Sequence, residues 1–328
     1  MKAVVVREFG PPGTARIEEV PRPVPGPGEV LVEVAMAPAN FVDTLVLQGS
    51  YQFLPERPFI PGKGPVGTVA ALGEGVAGLA VGDRVLAMAE QGGYAEAVAV
   101  AAESCYRLPP SMGFEAACSI SLAYDTAWFA LTDRAAVQPG ETVLVLGATG
   151  AVGAAAVQLA RAMGARPIAA ISGPARRAQV LEAGAEAVVD LSQPDLRESL
   201  RAQVLALTEG RGADVVIDPL GGDIFDAALR AVAWRGRLVV IGFAAGRIPM
   251  VRANYLLLKN IAVSGLQISD YRKRMPEAVR TCFEQVFQLH EDGRIRPGAA
   301  QPYPLADYAR ALDDLVQRRL SGRAVLVP

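Results

Sequence analysis

The sequence predicts an α/β protein that combines a mainly-β domain with a domain built on a doubly wound parallel sheet. Residues 1–122 contain short Val-containing runs separated by Gly and Pro, which is typical of strands joined by tight turns. From 123 to 266 strands and helices alternate, and this order favours parallel strands with right-handed crossovers and helices on both faces. Within this second region, a buried strand runs through a turn of small residues into a helix.

Strands are predicted in the first domain where Val-containing runs stand between turn signals, as at Glu29–Val34, Gly67–Leu72 and Asp83–Met88. The proline-rich segment 21–28 predicts a stiff surface connection, because proline fixes φ and removes a ladder donor.

The second domain contains continuous apolar runs, as expected of strands buried on both faces. Its predicted strands are Thr142–Leu146, Pro167–Ile171, Val215–Asp218 and Arg237–Ile241, with helices at 152–163, 174–183 and 223–233. Helices at 276–291 and 306–319 and a last strand at 324–327 follow. We expect this tail to return to the first domain, which gives the segments 1–122, 123–266 and 267–328.

The turn at 147–153 meets the requirements of a dinucleotide-binding loop. Gly150 lets the backbone approach a pyrophosphate, the following helix N-terminus stabilises its charge, and Gly153 allows the helix and strand to pack closely. Ala148 stands where the usual first glycine would be. The strand–turn–helix context predicts a bound dinucleotide, and a tight turn without a ligand is the alternative. The predicted contacts are Thr149, Gly150, Ala151, Val152 and Gly153.

The end of the second strand favours NADPH over NADH. An NAD enzyme places Asp or Glu against the ribose 2′-hydroxyl about 20 residues further on. Here Ser172 and Gly173 are followed by Arg176 and Arg177, and no carboxylate is available. Guanidinium groups match phosphate oxygens, so we predict that these four residues hold the 2′-phosphate. The alternative is that the arginines are solvated at the start of a helix, although cations are slightly unfavourable there.

Composition argues against several other classes of protein. The chain has 32 Lys and Arg against 34 Asp and Glu and no block of like charge, so no nucleic-acid partner is expected. The uncharged stretch 142–160 contains Gly, Thr and Gln, which argues against membrane insertion. No signal peptide is indicated, and Cys105, Cys118 and Cys282 suit neither a disulfide framework nor a Cys-based metal site, so we expect a cytoplasmic protein.

Short motifs along the whole chain carry a resemblance to a known family. They are Met1–Ala3, Gly28–Val32, Asn40–Asp43, Gln48–Tyr51, Pro61–Gly62, Val81–Val85, Gly92–Glu96 and Gln138–Glu141. Together they resemble the zinc-free quinone oxidoreductases, the zeta-crystallin-like branch of the medium-chain dehydrogenase/reductase superfamily. The resemblance implies a GroES-like catalytic domain formed by 1–122 and 267–328, and a Rossmann NADPH-binding domain at 123–266.

The resemblance also implies catalysis without a metal. Asn40 matches the first zinc ligand of the zinc-dependent members, and Gly62–Gly64 replaces their Gly-His-Glu element. The sequence has one histidine, His290, in the tail. We therefore expect hydride transfer to a quinone or an enone, whose carbonyl already conjugates with the carbon that accepts hydride.

The resemblance suggests further site residues. Asn40 and Tyr51 are expected to be catalytic, because they would donate hydrogen bonds to the developing enolate or hydroquinone oxygen, and either Tyr51 or solvent would deliver the proton. A pocket tyrosine of some relatives matches Leu45, and one that helps to hold the 2′-phosphate matches Leu191. Substrate contacts are expected at Asp43, Lys63, Gln267 and Tyr271. Further cofactor contacts are expected at Thr126, Leu220, Gly221, Ile241, Gly242 and Phe243, mostly at the carboxyl ends of strands.

Two other functions stay open. Gln48–Tyr51 followed by Leu54–Pro55 also resembles the 2-enoyl-thioester reductases, for which Lys63 and Arg272–Arg274 would form a basic entrance for CoA. A crystallin-like or RNA-binding role finds no basic, aromatic-stacked pattern to support it. We expect a homodimer paired through the edge strand Asn260–Ser264, as is usual in this family.

Overall fold

The computed structural model describes residues 1–320 and 322–328, which form two compact units. Unit 1 comprises 1–122, 276–283 and 297–328, and unit 2 comprises 123–275 and 284–296. The tail that the sequence assigns as a whole to the first domain is thus divided between the units. Residues 267–275 belong to unit 2, where Arg272 forms a buried ion pair with Asp125. Residues 284–296 belong there because the Gln158 side chain exchanges two hydrogen bonds with the Arg296 backbone.

The elements are numbered along the chain. The strands are β1 (Lys2–Val5), β2 (Arg16–Glu19), β3 (Glu29–Pro38), β4 (Val66–Leu72), β5 (Arg84–Ala87), β6 (Ala97–Ala101), β7 (Cys105–Arg107), β8 (Thr142–Leu146), β9 (Arg166–Ile171), β10 (Ala187–Asp190), β11 (Ala213–Asp218), β12 (Val232–Val240), β13 (Ala262–Gly265), β14 (Ala300–Pro304) and β15 (Arg323–Val327). The helices are α1 (Phe41–Leu47), α2 (Phe114–Ile120), α3 (Ala123–Phe129), α4 (Ala151–Ala162), α5 (Arg177–Glu182), α6 (Leu196–Leu207), α7 (Gly222–Ala231), α8 (Ala253–Lys259), α9 (Ile268–Arg274), α10 (Pro276–Glu291) and α11 (Tyr308–Val316).

Unit 1 is built around the long strand β3. Its sheet has the order β14-β15-β3-β4-β5-β7, with β6 also paired to β3, while β1 and β2 form a separate hairpin. Apolar side chains from β3, such as Val30 and Val32, are fully buried in the core of this unit. Pro302 and Pro304 are tolerated in β14 because it is an edge strand. Helix α1 begins directly after β3, which places Asn40 and Asp43 against this core.

Unit 2 contains a six-stranded sheet of order β10-β9-β8-β11-β12-β13 in which every neighbouring pair is parallel. From β8 the chain adds β9 and β10 on one side, and it then crosses to the other side of β8 to add β11, β12 and β13. Ligands of such sheets bind outside the carboxyl ends of the strands where this order of addition reverses, which here is between β8 and β11. The predicted fold class is confirmed. The structure adds β10, α6, α8 and α9 to this unit, which the sequence analysis did not predict. Within residues 1–320 and 322–328, no helix combines the length and apolar character needed to cross a bilayer.

Candidate active site

The glycine turn, residues 147–153, joins β8 to α4. Gly147 has a φ of 62°, which favours glycine, and Gly150 is the N-cap of α4. A Cβ on Gly153 would lie 2.3 Å from the Gly147 carbonyl oxygen, so only glycine permits this close packing of helix and strand end. The first N–H groups of α4, including those of Ala151 and Val152, have no intrahelical acceptor and can bind an anion. The turn therefore suits a phosphate group.

The arginine turn, residues 172–177, follows β9, the neighbour of β8. The two strand ends are joined by a 3.2 Å hydrogen bond from the Ala148 N–H to the Ala170 carbonyl. Gly173 has a φ of 82°, and a Cβ there would meet nothing within 4 Å. Ser172 and Arg177 are exposed, and Arg176 is half-buried. A hydroxyl and two guanidinium groups thus lie on one turn beside the glycine turn, a donor set that fits a 2′-phosphate.

The structure brings a carboxylate to this turn, where the sequence analysis expected none. Asp190 is the last residue of β10, and its Oδ1 accepts a 3.1 Å hydrogen bond from the Gly173 N–H. Hydrogen bonds from Ser192 are the main reason that the pKa of Asp190 lies far below its ordinary value. The expectation was wrong because it considered only the strand that precedes the turn, and the carboxylate comes from the neighbouring strand.

The turns after β11 and β12 lie at the same edge of the sheet. The N–H groups of Ile241 and Ala245 donate to the carbonyls of Asp218 and Leu220, at 2.8 and 2.9 Å. A Cβ on Gly147 would lie 3.0 Å from the Leu220 side chain, so the β11 turn adjoins the glycine turn. The predicted cofactor residues Leu220, Gly221, Ile241, Gly242 and Phe243 are therefore brought together with the glycine turn. Thr126 is buried in α3, which packs against α4.

Asp218 is a buried carboxylate at this edge. Its Oδ1 accepts hydrogen bonds from the N–H groups of Leu220 and Gly221, at 2.8 and 2.9 Å. Its Oδ2 is buried and has no hydrogen-bond partner among the described residues. Burial raises the pKa of Asp218 to about 6. The side chain stabilises the β11 turn but carries an unfavourable charge at neutral pH.

Gln267 and Tyr271, predicted to contact substrate, are engaged within unit 2. The Gln267 side chain accepts a 3.3 Å hydrogen bond from the Ser269 N–H at the start of α9. The Tyr271 ring packs on Phe129 with centroids 4.7 Å apart, and its hydroxyl donates to Asp133. In this arrangement both side chains stabilise α9.

A buried polar cluster in unit 1 consists of Asn40, Asp43, Tyr94 and Arg323. Oδ2 of Asp43 accepts from the Asn40 N–H at 2.9 Å, from Asn40 Nδ2 at 3.0 Å and from the Tyr94 hydroxyl at 2.8 Å. Arg323 donates to Asn40 Oδ1, and Asn40 Nδ2 also donates to the Pro38 carbonyl at 3.1 Å. Both hydrogens of the Asn40 amide therefore have protein acceptors, so Asn40 orders the cluster in this conformation.

The electrostatics of this polar cluster follow from burial. Burial raises the pKa of Asp43, against the hydrogen bonds from Tyr94 and Asn40, and raises the pKa of the Tyr94 phenol well above its ordinary value. Burial also lowers the pKa of Arg323. The Arg323 guanidinium and the Asp43 carboxylate both bind the side-chain amide of Asn40, so each buried charge compensates the other through that amide.

Tyr51 and Lys63 lie beside the polar cluster. Nδ2 of Asn40 is 3.5 Å from the Lys63 carbonyl oxygen, and Nζ of Lys63 is 5.9 Å from the centre of the Tyr51 ring. The ammonium group donates to the Glu90 carbonyl at 3.0 Å and to its carboxylate at 2.5 Å. Tyr51 is partly exposed, and no hydrogen bond from its hydroxyl is formed to the part of the chain that the structure describes. The hydroxyl can therefore donate a hydrogen bond to a ligand.

A mainly-β unit with the polar cluster, together with a parallel-sheet unit that carries the glycine turn and the arginine turn, defines a medium-chain dehydrogenase/reductase. Residues 26–110 match the alcohol dehydrogenase GroES-like domain, and residues 151–284 match the family described as zinc-binding dehydrogenase. Where the zinc-dependent members have their first zinc ligand, this chain has Asn40, and where they have the His of the Gly-His-Glu element, it has Lys63. Among residues 1–320 and 322–328 no group of three or more His, Cys, Asp or Glu side chains could hold a metal ion.

Known relatives narrow the class. The chain is 38% identical over 312 residues to quinone oxidoreductase-like protein 2 of Bos taurus, covering 94% of this chain and 88% of that protein. It is 33% identical over 329 residues to a quinone oxidoreductase of Pseudomonas aeruginosa, covering 100% and 99%. The structure of Escherichia coli quinone oxidoreductase complexed with NADPH matches with a TM-score of 0.92 at 29% identity, covering 100% of both chains. The chain therefore belongs to the quinone oxidoreductase family, in the zinc-free branch of the superfamily, and the predicted enzyme class is confirmed.

Sequence reasoning gave no role to Tyr94, Asp190 and Arg323. Tyr94 belongs to the motif Gly92–Glu96, which carried the resemblance without indicating a hydrogen bond to Asp43. Arg323 reaches Asn40 across 283 positions, and no local pattern signals that contact. For Asp190 the missing signal was the short strand that ends on it.

Proposed function

We propose that this enzyme oxidises NADPH and transfers hydride to a quinone or an α,β-unsaturated carbonyl compound. One observation carries the proposal: the glycine turn lies beside an exposed turn that bears Ser172, Arg176 and Arg177 at the carboxyl edge of the sheet in unit 2. The first feature suits a pyrophosphate, and the second suits the additional phosphate that distinguishes NADPH from NADH.

Residues of unit 2 would hold the cofactor through its charged groups. The N-terminal N–H groups of α4 stabilise the pyrophosphate, and Ser172, Arg176 and Arg177 hold the 2′-phosphate. The turns after β11 and β12, with Leu220–Gly221 and Ile241–Phe243, complete the same edge. When bound, NADPH supplies the hydride from its nicotinamide ring.

Residues of unit 1 would stabilise the charge that develops on the substrate. As hydride reaches the acceptor carbon, the conjugated carbonyl oxygen becomes an enolate or hydroquinone oxygen and gains negative charge. Tyr51 donates a hydrogen bond to that oxygen. A proton from Tyr51 or solvent completes the reduction. Asn40 and Asp43 act by fixing the local backbone at the start of α1.

A substrate screen tests the proposal directly. Purified protein is titrated with NADPH and NADH by nicotinamide fluorescence, and NADPH oxidation is then followed with a simple quinone, an enone and crotonyl-CoA. We expect tighter binding of NADPH and turnover with the quinone or the enone. Absence of NADPH binding, or turnover that requires stoichiometric added zinc, would overturn the proposal.

The structure weakens the argument for a thioester substrate. That hypothesis needs a basic entrance, but Arg272 is buried against Asp125, with Nη2 at 2.7 Å from the carboxylate, and Lys63 is paired with Glu90. Of the four predicted cations, only Lys273 and Arg274 are exposed. We therefore rank crotonyl-CoA below simple quinones and enones. A higher kcat/KM for crotonyl-CoA than for either would reverse that order.

We also propose that two copies pair through β13. This strand ends the sheet order, and exposed apolar side chains from nearby segments include Ile248, Met250, Leu257 and Leu258. An unpaired edge with apolar neighbours is stabilised by a two-fold partner. Light scattering is expected to give twice the chain mass of 34.4 kDa.

We further propose that the protein is located in the cytoplasm. The buried thiols Cys105, Cys118 and Cys282 suit that reducing compartment, and cell fractionation tests the proposal.

A further inference from the structure

The carboxylate of Asp190 collects four hydrogen bonds at the edge of the sheet in unit 2. Its Oδ1 accepts from the Gly173 N–H at 3.1 Å, from the Ser192 N–H at 2.9 Å and from the Ser192 hydroxyl at 2.7 Å. Its Oδ2 accepts from Gln193 Nε2 at 2.7 Å. The first of these bonds links β10 to the arginine turn, and the other three stay within the turn after β10.

The backbone of Asp190 is itself fixed. Asp190 pairs with Ile171 in the parallel ladder, and the Leu191 N–H donates to the Ile171 carbonyl at 2.8 Å. From α6, Gln203 accepts from the Asp190 N–H at 2.9 Å and donates to its carbonyl at 3.0 Å. The carboxylate therefore stands on a rigid support and not on a mobile loop.

The arginine turn needs such a support. Gly173 has a positive φ, and a Cβ there would meet nothing within 4 Å, so packing around the Gly173 Cα does not hold this conformation. The turn nevertheless has to present Ser172 and two arginines to one phosphate. The hydrogen bond that the Gly173 N–H donates to the fixed Asp190 side-chain oxygen supplies the constraint that packing does not.

We propose that Asp190 is a positioning residue that shapes the arginine turn for the 2′-phosphate and thereby favours NADPH over NADH. The inference rests on the proposed cofactor role of that turn. A carboxylate near the adenosine ribose would ordinarily repel a 2′-phosphate and accept from a 2′-hydroxyl. Here four protein donors occupy about as many acceptor positions as a carboxylate has, so Asp190 acts on the protein turn instead.

Three substitutions separate position from charge. Asp190→Ala removes the acceptor, Asp190→Glu keeps the charge but displaces it by one methylene, and Asp190→Asn removes the charge while an oxygen still faces Gly173 and Ser192. Asp195→Asn is the matched control, because Asp195 is exposed nearby, makes no hydrogen bond to Gly173, and Asn tolerates its left-handed backbone. For each protein the Kd of NADPH and of NADH is measured by nicotinamide fluorescence.

We expect Asp190→Ala and Asp190→Glu to weaken NADPH binding roughly tenfold, a loss of about 1.4 kcal/mol, with NADH binding unchanged. Asp190→Asn and Asp195→Asn should keep the preference of the unmodified enzyme for NADPH. Tighter NADPH binding in Asp190→Ala, equal losses for both cofactors, or unmodified affinity in Asp190→Glu would each overturn the inference. An unmodified enzyme without preference for NADPH would instead refute the proposed cofactor role, and that result is obtained before any variant is made.

Discussion

The glycine turn of unit 2 and the polar cluster of unit 1 are built in opposite ways. The glycine turn uses backbone, with N–H groups at a helix start and glycines where a Cβ would collide with Gly147. The polar cluster uses side chains, and each of its four members forms a side-chain hydrogen bond with another buried member: Asn40, Asp43, Tyr94 and Arg323. A backbone site should therefore be sensitive to added volume, whereas a side-chain site should be sensitive to the loss of one partner.

The largest effect is expected from adding one methyl group to the glycine turn. In Gly153→Ala the Cβ would lie 2.3 Å from the Gly147 oxygen and 2.8 Å from the Ala148 Cα, so helix and strand must separate. We expect a loss of about 3 kcal/mol in the free energy of unfolding, together with loss of NADPH binding. Thermal unfolding and fluorescence titration measure the two.

Gly150→Ala is the control for this prediction. Its Cβ would lie 3.3 Å from the Gly147 oxygen, and the cost of Ala at an N-cap is about 1 kcal/mol. It should weaken NADPH binding while leaving the fold intact. If Gly153→Ala has the same free energy of unfolding and the same Kd for NADPH as the unmodified protein, the close packing of α4 is not what makes glycine necessary.

The next largest effect is expected from removing one partner in the polar cluster. Asp43→Ala leaves the Tyr94 hydroxyl and the Asn40 amide without their shared acceptor and leaves the Arg323 cation uncompensated. We expect a loss of about 3 kcal/mol in the free energy of unfolding, measured by urea denaturation. Tyr94→Phe removes one of three hydrogen bonds to Asp43 and should cost about 1 kcal/mol. Equal losses in the two variants would contradict the central place of Asp43.

This contrast also explains what the sequence could predict. The glycine turn and the arginine turn were located because each lies at a strand end within a few residues of recognisable signals. Strand β10 has only four residues, too few for a clear pattern, and without it Asp190 was missed. Lys63 and Arg272 were expected to be available cations, but their partners Glu90 and Asp125 lie 27 and 147 positions away. Pairings across such distances depend on the tertiary fold and leave no local trace.

A smaller effect, with a defined pH dependence, is expected at Asp218. Its pKa is about 6 in the folded protein against 3.8 ordinarily, so the fold binds the proton more tightly than the unfolded chain. Stability from this group is therefore present below about pH 3.8 and is lost as pH rises through about 6. Above pH 6, relief from the buried charge should make Asp218→Asn more stable by about 2 kcal/mol, and the difference should vanish in acid.

Asp190 provides the matched comparison at the same edge. Its pKa is lowered on folding, so its contribution is present at neutral pH and is lost as pH falls. The difference profiles of Asp190→Asn and Asp218→Asn, measured by urea denaturation across pH, should therefore slope in opposite directions. Parallel profiles would show that burial does not control Asp218.

The smallest expected change in stability accompanies a change in catalysis at Tyr51. Tyr51→Phe removes a hydroxyl without a protein partner among the described residues, so the free energy of unfolding should stay the same. Turnover should fall roughly tenfold to hundredfold, because a donor to the developing oxygen is lost while solvent still supplies the proton. The Kd of NADPH should not change. Steady-state kinetics with a quinone, thermal unfolding and fluorescence titration measure these quantities.

Tyr308→Phe should show the opposite signature. The Tyr308 hydroxyl donates to the Ala15 carbonyl at 2.6 Å and to the Pro12 carbonyl at 3.0 Å, so it acts on the fold of unit 1. Its loss should lower the free energy of unfolding by about 1 kcal/mol and leave kcat unchanged. If Tyr51→Phe instead loses stability and keeps full turnover, then Tyr51 is a packing residue and does not donate to the substrate oxygen.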